Sequence, residues 1–309
     1  MNMNNDIKKQ AQEIWEKIQL DYMVFKNEPD HVKSNEPLIL ELSKRTCAIL
    51  KFCHPNVQDN RDIVKNIVTN YGYGLKYASK RLQDDKEIAL LAIKNDGEAI
   101  SFLSERLQDD LEIIEKMLNY DTFGSDVAYA SDRIRSMKDI MLKACSKRGL
   151  SLEYASEDLR NDKEFVLHAV SHHGEAIAYA SAKLKNDKDL VLEAIKRTEH
   201  ALSHVSPQCQ NDEDIVCKAV TYYPYAFTYA SDELRNNTAF ILKMFQIDPV
   251  TIIYVGFDTH SEFSTCKLIS NEEKIEYLNK KLQKEIFECK LQSILPEKEQ
   301  INNKNKLKL

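Results

Sequence analysis

His168 and His172 stand four residues apart, His200 and His204 repeat the spacing, and His173 lies beside the first pair. On a helix that separation puts two imidazoles on one face, which is half of a zinc site. A zinc hydrolase would add further ligands and a general base, yet no HExxH accompanies either pair. The DxD strings at 187–189 and 212–214 offer the paired carboxylates of a metal–nucleotide site. YGYG at 71–74 has too few glycines and no following Lys to cradle phosphate, so it reads as a turn. Seven cysteines, an odd number with no CxxC pair, read as reduced thiols of a cytosolic protein. A nucleophilic thiol or serine needs a base at hand. None is identifiable, and His260, Glu262 and Cys266 near the C-terminus form no recognisable arrangement.

These residues belong to a repeat that explains most of them. Aligned on one serine, the copies fall at Ser79, Ser104, Ser131, Ser156, Ser181, Ser206 and Ser231, at intervals of 25, 27, 25, 25, 25 and 25 residues. His54 takes the slot upstream and Gly256 takes it downstream, so about eight units run from residue 47 to residue 260.

Seven residues before the serine stand Gly72, Gly97, Gly124, Gly149 and Gly174, then Glu199 and Pro224. The glycines fit a left-handed residue ending the previous helix, or a tight turn. Five residues after the serine come Asp84, Asp109, Ser136, Asn161, Asn186, Asn211 and Asn236, all good N-caps. Glu or Asp three residues further on, as at Glu87 and Glu112, has the spacing of a capping box. Apolar residues at helical spacing follow, such as Leu190, Val191, Ala194 and Ile195. Each unit is expected to be a pair of antiparallel helices of roughly ten residues each, too short to stand alone in water. Stacking supplies the missing burial. The fold expected is all-α, an α-solenoid of stacked helical hairpins, tetratricopeptide-like in logic, with helical caps at both ends.

The repeat frame returns the tempting residues to structural duty. His204 takes the slot of Tyr77, Tyr129, Tyr154, Tyr179 and Tyr229 and reads as a packing residue, while His168 takes an outward, mixed position. Cys145, Cys209 and Cys217 replace Ile, Val or Leu of other units and read as small core hydrophobes. The acidic strings are helix caps, and the recurrent serines are expected to bond backbone carbonyls or to permit close packing. No catalytic residue, metal or cofactor is expected.

Composition bounds the partners. A net charge of −6 over 309 residues opposes generic nucleic-acid or anionic-membrane binding. No apolar run approaches a membrane span, and MNMNNDIKKQAQEIW lacks the apolar core of a secretory signal. Residues 4–22 read as an amphipathic helix with Ile7, Ala11, Ile14, Trp15 and Ile18 on one side. The organisation expected is an N-terminal cap at 1–46, the array at 47–260, a capping helix at 261–295 and a flexible tail at 296–309.

The unit, clearest at GLKYASKRLQDDKEIALLAIKNDGEAISFLSERLQDD, resembles a family of short α-helical repeats familiar from intracellular bacterial pathogens such as Legionella, from protists and from large viruses. The resemblance implies helices and modular binding and brings no catalytic motif. It also implies a secreted effector; the chain is expected to be monomeric when free. That effector would bind and restrain a partner effector enzyme, as the Legionella metaeffectors do. The bacterial cytoplasm is then its home, with translocation into a host cytosol, and the charged tail resembles type IV export signals.

Contact residues are expected where units differ. Tyr222 and Tyr223 end a helix, Tyr225 follows them, and Lys147, Arg148, His172, His173, Lys196 and Arg197 share the same inter-helix edge. Tyr and Arg dominate protein–protein hot spots, although cations at helix C-termini are also favoured by the helix dipole alone. The long step between Ser104 and Ser131 adds Tyr120 and Phe123 on an insertion. The alternatives are an enzyme or toxin with its chemistry in the terminal helices, and an RNA-binding repeat, which the acidic cap positions disfavour.

Overall fold

A computed structural model describes residues 2–20, 23–120, 125–248 and 250–251, together with helical positions 273, 276, 279, 280, 283 and 284. Phe123, the degraded unit around Gly256, the trio His260, Glu262 and Cys266, and the tail at 296–309 lie outside the described residues. Among the described residues the chain is all-α, without strands, and it divides into two compact units, residues 1–172 and 173–309.

Each repeat is built from three short elements rather than two ten-residue helices. In the copy that starts at Gly72, a six-residue 3-10 helix Gly72–Tyr77 leads to a four-residue α-helix Lys80–Gln83 and then to the α-helix Lys86–Asn95. The first arm breaks at the serine. Ala78 and Ser79 are extended, with ψ of 161° and 156°, and the Ser79 hydroxyl accepts the Leu82 N–H at 3.3 Å. A serine bonding its own backbone favours a fresh helix start over a continuous helix. The same cap recurs at Ser104, Ser131, Ser156, Ser181, Ser206 and Ser231.

Because the serine caps the short helix, the long helix begins one residue later than the sequence suggests. Asp84 closes the short helix, and Asp85 caps the long one by accepting the Glu87 and Ile88 N–H groups at 3.0 and 3.1 Å. Asn60, Asp110 and Asp212 do the same, and Asp187 and Asn237 cap their helices through the Leu190 and Phe240 N–H groups. Glu87 does not reach back to complete a capping box. It pairs instead with Arg61 and Lys65 of the preceding repeat, each at 2.5 Å.

Asp84 is free to serve the next repeat, and this clasp joins successive copies. The Ser104 hydroxyl donates to Asp84, and Arg106 donates to the same carboxylate at 3.0 Å and to the Asp84 carbonyl at 2.8 Å. Asp59 with Ser79 and Arg81, and Asp109 with Ser131 and Arg133, repeat the arrangement. In the second unit the acceptors are neutral: Ser206 donates to Asn186 at 2.6 Å and Ser231 donates to Asn211. At the position of Arg106 the last of these copies carries Glu233, and Asn211 donates to it at 3.0 Å. The serines thus cap and clasp through their hydroxyls, and it is their N–H groups that bond a carbonyl of the preceding repeat, as Ser104 does to Gln83 at 3.1 Å.

Burial follows from this geometry. From Arg61–Asn70 onward every described long helix hides four apolar residues in the pattern of Ile88, Ala89, Ala92 and Ile93, and the short elements add Ile100 and Leu107 or their equivalents. At about 1.5–3 kcal/mol for a fully buried large side chain, one such face outweighs any local propensity. Cys145 and Cys209 are buried in this core as hydrophobes, and burial pushes the Cys145 thiol up to about 12. Within each unit the long helices pack on one another as one layer. The 3-10 helices Ala48–Phe52, Gly72–Tyr77, Gly97–Phe102, Ser125–Tyr129 and Gly149–Tyr154, and separately Gly174–Tyr179, Glu199–His204 and Pro224–Tyr229, form a second.

The register continues upstream of residue 47. Pro29 holds the serine slot before Asp30–Lys33, and Asn35 caps Glu36–Ser43 by accepting the Leu38 N–H at 3.2 Å. The helix Asn2–Leu20 packs on Glu36–Ser43, burying Ala11, Ile14 and Ile18, with Arg45 stacked 5.5 Å from the Trp15 ring. No described helix is long and apolar enough to cross a membrane.

Candidate partner-binding surfaces

The histidines come together without forming a metal centre among the described residues. His168 and His172 stack at 4.6 Å between ring centroids. His168 Nε2 lies 2.8 Å from the Ser146 hydroxyl, whose oxygen is also 2.8 Å from the Leu142 carbonyl, and His172 Nδ1 donates to the His168 carbonyl at 2.9 Å. Burial, and then the neighbouring His172, hold His168 below the usual imidazole range. The Ser146 hydroxyl is tied to a helix carbonyl, and among the described residues no acid is seen to orient the His168 imidazole.

In the first unit Lys147, Arg148 and His172 are exposed and Tyr120 is half-buried. In the second unit His173, Lys196 and Arg197 are exposed, and Tyr222 and Tyr225 are 49% and 38% exposed. Tyr223 is half-buried, its hydroxyl 3.4 Å from the Lys196 carbonyl. Lys196 and Arg197 are both engaged by Glu193, at 3.1 and 3.0 Å, so this stretch is less basic than its sequence implies.

Two of the expected residues meet at a groove. Between the helices Lys188–Ile195 and Glu213–Tyr222, Leu192, Lys196, Lys218, Thr221 and Tyr222 enclose about 220 Å³, open to solvent on one side. The lining combines one aliphatic side chain, one hydroxyl, one exposed aromatic ring and two lysines. Such a volume falls below the ~300–1,000 Å³ of small-molecule pockets and suits a single inserted side chain. Tyr225 belongs to the 3-10 layer instead, edge-on to Tyr229 at 5.6 Å, with His200 Nδ1 2.8 Å from the Tyr229 hydroxyl.

In each unit a further surface escaped the reading of the sequence. Two residues before each serine slot stand Phe52, Tyr77, Phe102, Tyr129, Tyr154, Tyr179, His204 and Tyr229, which the sequence assigns to packing. None of them is buried. All are half-exposed or, at Tyr129, 46% exposed, because within each unit they lie on the outer side of its 3-10 layer while an aliphatic residue, or Phe227, of the same segment is buried. The signal was available. Core slots exchange aliphatic residues freely, as Ile93, Cys145, Val170 and Ile195 do, whereas this slot never accepts one.

Stacked copies of one short helical unit define a tandem α-helical repeat protein. A family model described as Domain of unknown function (DUF4116) matches residues 35–83, 85–135, 110–160, 162–210 and 212–258, well over half of the chain, and the protein belongs to this family. Each match begins on a residue that caps a long helix: Asn35, Asp85, Asp110, Asp162 or Asp212. The match attaches no organism, export route or partner to the chain. No curated protein and no solved structure matches it.

Proposed function

We propose that this chain is a non-enzymatic scaffold that binds a partner protein through the outer groove of its second unit, and that it acts by restraining that partner, an enzyme. The groove carries the reading. Tyr222 is an exposed tyrosine, the residue type enriched at interface hot spots, and it stands in a concave site with a leucine and two lysines. Restraint by occlusion asks no chemistry of the chain, only a rigid surface held in place by clasped repeats.

The test is affinity capture with the tagged full-length chain, from lysates of its own organism and of a host. The wild type is expected to retain one stoichiometric partner in high salt. Tyr222→Ser should lose that partner and Lys94→Ser, an exposed change in the first unit, should keep it. Addition of the wild-type chain should then lower the partner's activity. Equal capture by Tyr222→Ser overturns the groove as the contact, and unchanged activity overturns restraint.

A further inference from the structure

We infer that the 3-10 layer of the first unit is a docking track for an extended segment rich in lysine or arginine, seated on Tyr129 and Tyr154 with Glu98 and Glu153 as counter-charges. This rests on the protein-binding reading above and adds a surface and a partner chemistry to it.

The chain shows the mode of binding on its own first rungs. Lys51 Nζ lies 5.4 Å from the Phe52 ring centroid. Lys76 Nζ lies 4.9 Å from the Tyr73 centroid and 5.6 Å from that of Phe102, and bonds the Tyr73 hydroxyl at 2.6 Å. Both lysines occupy the position just before the aromatic slot. An ammonium over an aromatic face is attracted by the ring quadrupole. Two rungs further on, the same position is Ala128 and then Glu153, so Tyr129 and Tyr154 receive no cation from it.

Carboxylates stand beside both rungs, with Arg148 exposed at the start of the Tyr154 segment. Glu98 and Glu153 are exposed, and neither has an ion-pair partner among the described residues. Asp126, 7% exposed on the segment of Tyr129, has its carboxyl pushed up by burial first and by Glu98 and Asp96 next, which marks a local excess of negative charge. Exposed rings interleaved with unpaired carboxylates favour a basic ligand over an acidic or purely apolar one.

The repeat also sets the ligand's period. Neighbouring packed helices stand about 8–10 Å apart. A polyproline-type chain rises about 3.1 Å per residue with three residues per turn. A cation at every third position therefore meets successive rungs from one side.

The experiment uses the full-length chain and fluorescent peptides of equal length and charge, with lysine at every second, every third or every fourth position. The every-third peptide is expected to bind tightest. Tyr129→Leu and Tyr154→Leu, which keep apolar bulk, should each weaken it by about threefold to tenfold. Glu153→Lys should abolish binding, and Ala128→Lys should compete by placing the chain's own ammonium on Tyr129. Equal affinity for all three spacings, absence of binding, or indifference to Ala128→Lys and Tyr154→Leu overturns the track. Tyr222→Ser should leave peptide affinity unchanged. Failure of the peptides while Tyr222-dependent capture persists removes the track alone, and the converse removes the groove alone.

Discussion

Gly174 opens a 3-10 helix against the last turn of the following repeat's long helix, and its conformation lies outside the left-handed region. A Cβ built there would come within 2.7 Å of the Ala194 carbonyl and 2.8 Å of Arg197 Cβ and Thr198 Cγ2. Gly72 meets the Ala92 carbonyl and Asp96 in the same way. The residue is small for close packing and not for a turn, which the sequence alone does not separate because both demands select glycine. Gly174→Ala should cost about 1–3 kcal/mol through overpacking against backbone that cannot yield, readable as a lowered midpoint in urea. Unchanged stability would mean the helix simply moves away. The aromatic slot carries a similar lesson, since a recurrent tyrosine suits both a core and a half-exposed row, and only the direction of the 3-10 layer selects between them.

At the scale of the element, one cap is defective. Met137 has the extended backbone of the other caps, φ −81° and ψ 110° against −85° and 113° at Asp110, but its side chain makes no cap bond. The ionic ladder fails at the same place. Arg61, Lys86, Lys138 and Lys188 each pair with the cap carboxylate of the next long helix, at 2.9, 2.7, 2.6 and 3.2 Å. Leu111, which precedes Met137 in that series, is 37% exposed. Met137→Asp should therefore stabilise the chain by about 1 kcal/mol, and adding Leu111→Lys should contribute a few tenths more. Thermal melts of both variants decide this, and a melt below wild type would show that Met137 matters for packing. The long helices were legible from their period. Their start was misplaced by one residue because two adjacent acidic residues, Asp84 and Asp85, both make good caps, and only the clasp to Ser104 and Arg106 separates them.

Across the whole molecule, stability is a sum over interfaces between neighbouring repeats, so a recurring charge has a collective effect. Asp59, Asp84 and Asp109 are held below the usual carboxylate range, by the serine hydroxyl first and the arginine next. A depressed carboxylate contributes stability above its unfolded pKa, near 3.9, and loses it as pH falls through the lower folded value. The clasps of the first unit should thus weaken below about pH 4, whereas Asn186 and Asn211 do not titrate. The triple variant Asp59→Asn, Asp84→Asn, Asp109→Asn should melt below wild type at pH 7. Towards pH 2 the two curves should converge, and a gap that stays constant with pH would assign the effect to shape and not to charge.

The period, the helical class and the buried face of each long helix were set by the sequence, because local spacing and hydrophobic pattern act within one 25-residue copy. The split of the first arm, the cap that each acidic residue serves, the clasp between copies, the groove at Leu192 and Tyr222 and the open aromatic row were decided by tertiary structure. Apart from the split, which each serine makes by capping its own backbone, these depend on which residue of the next copy arrives at a given atom, and a stack fixes that through packing rather than through adjacency in the chain.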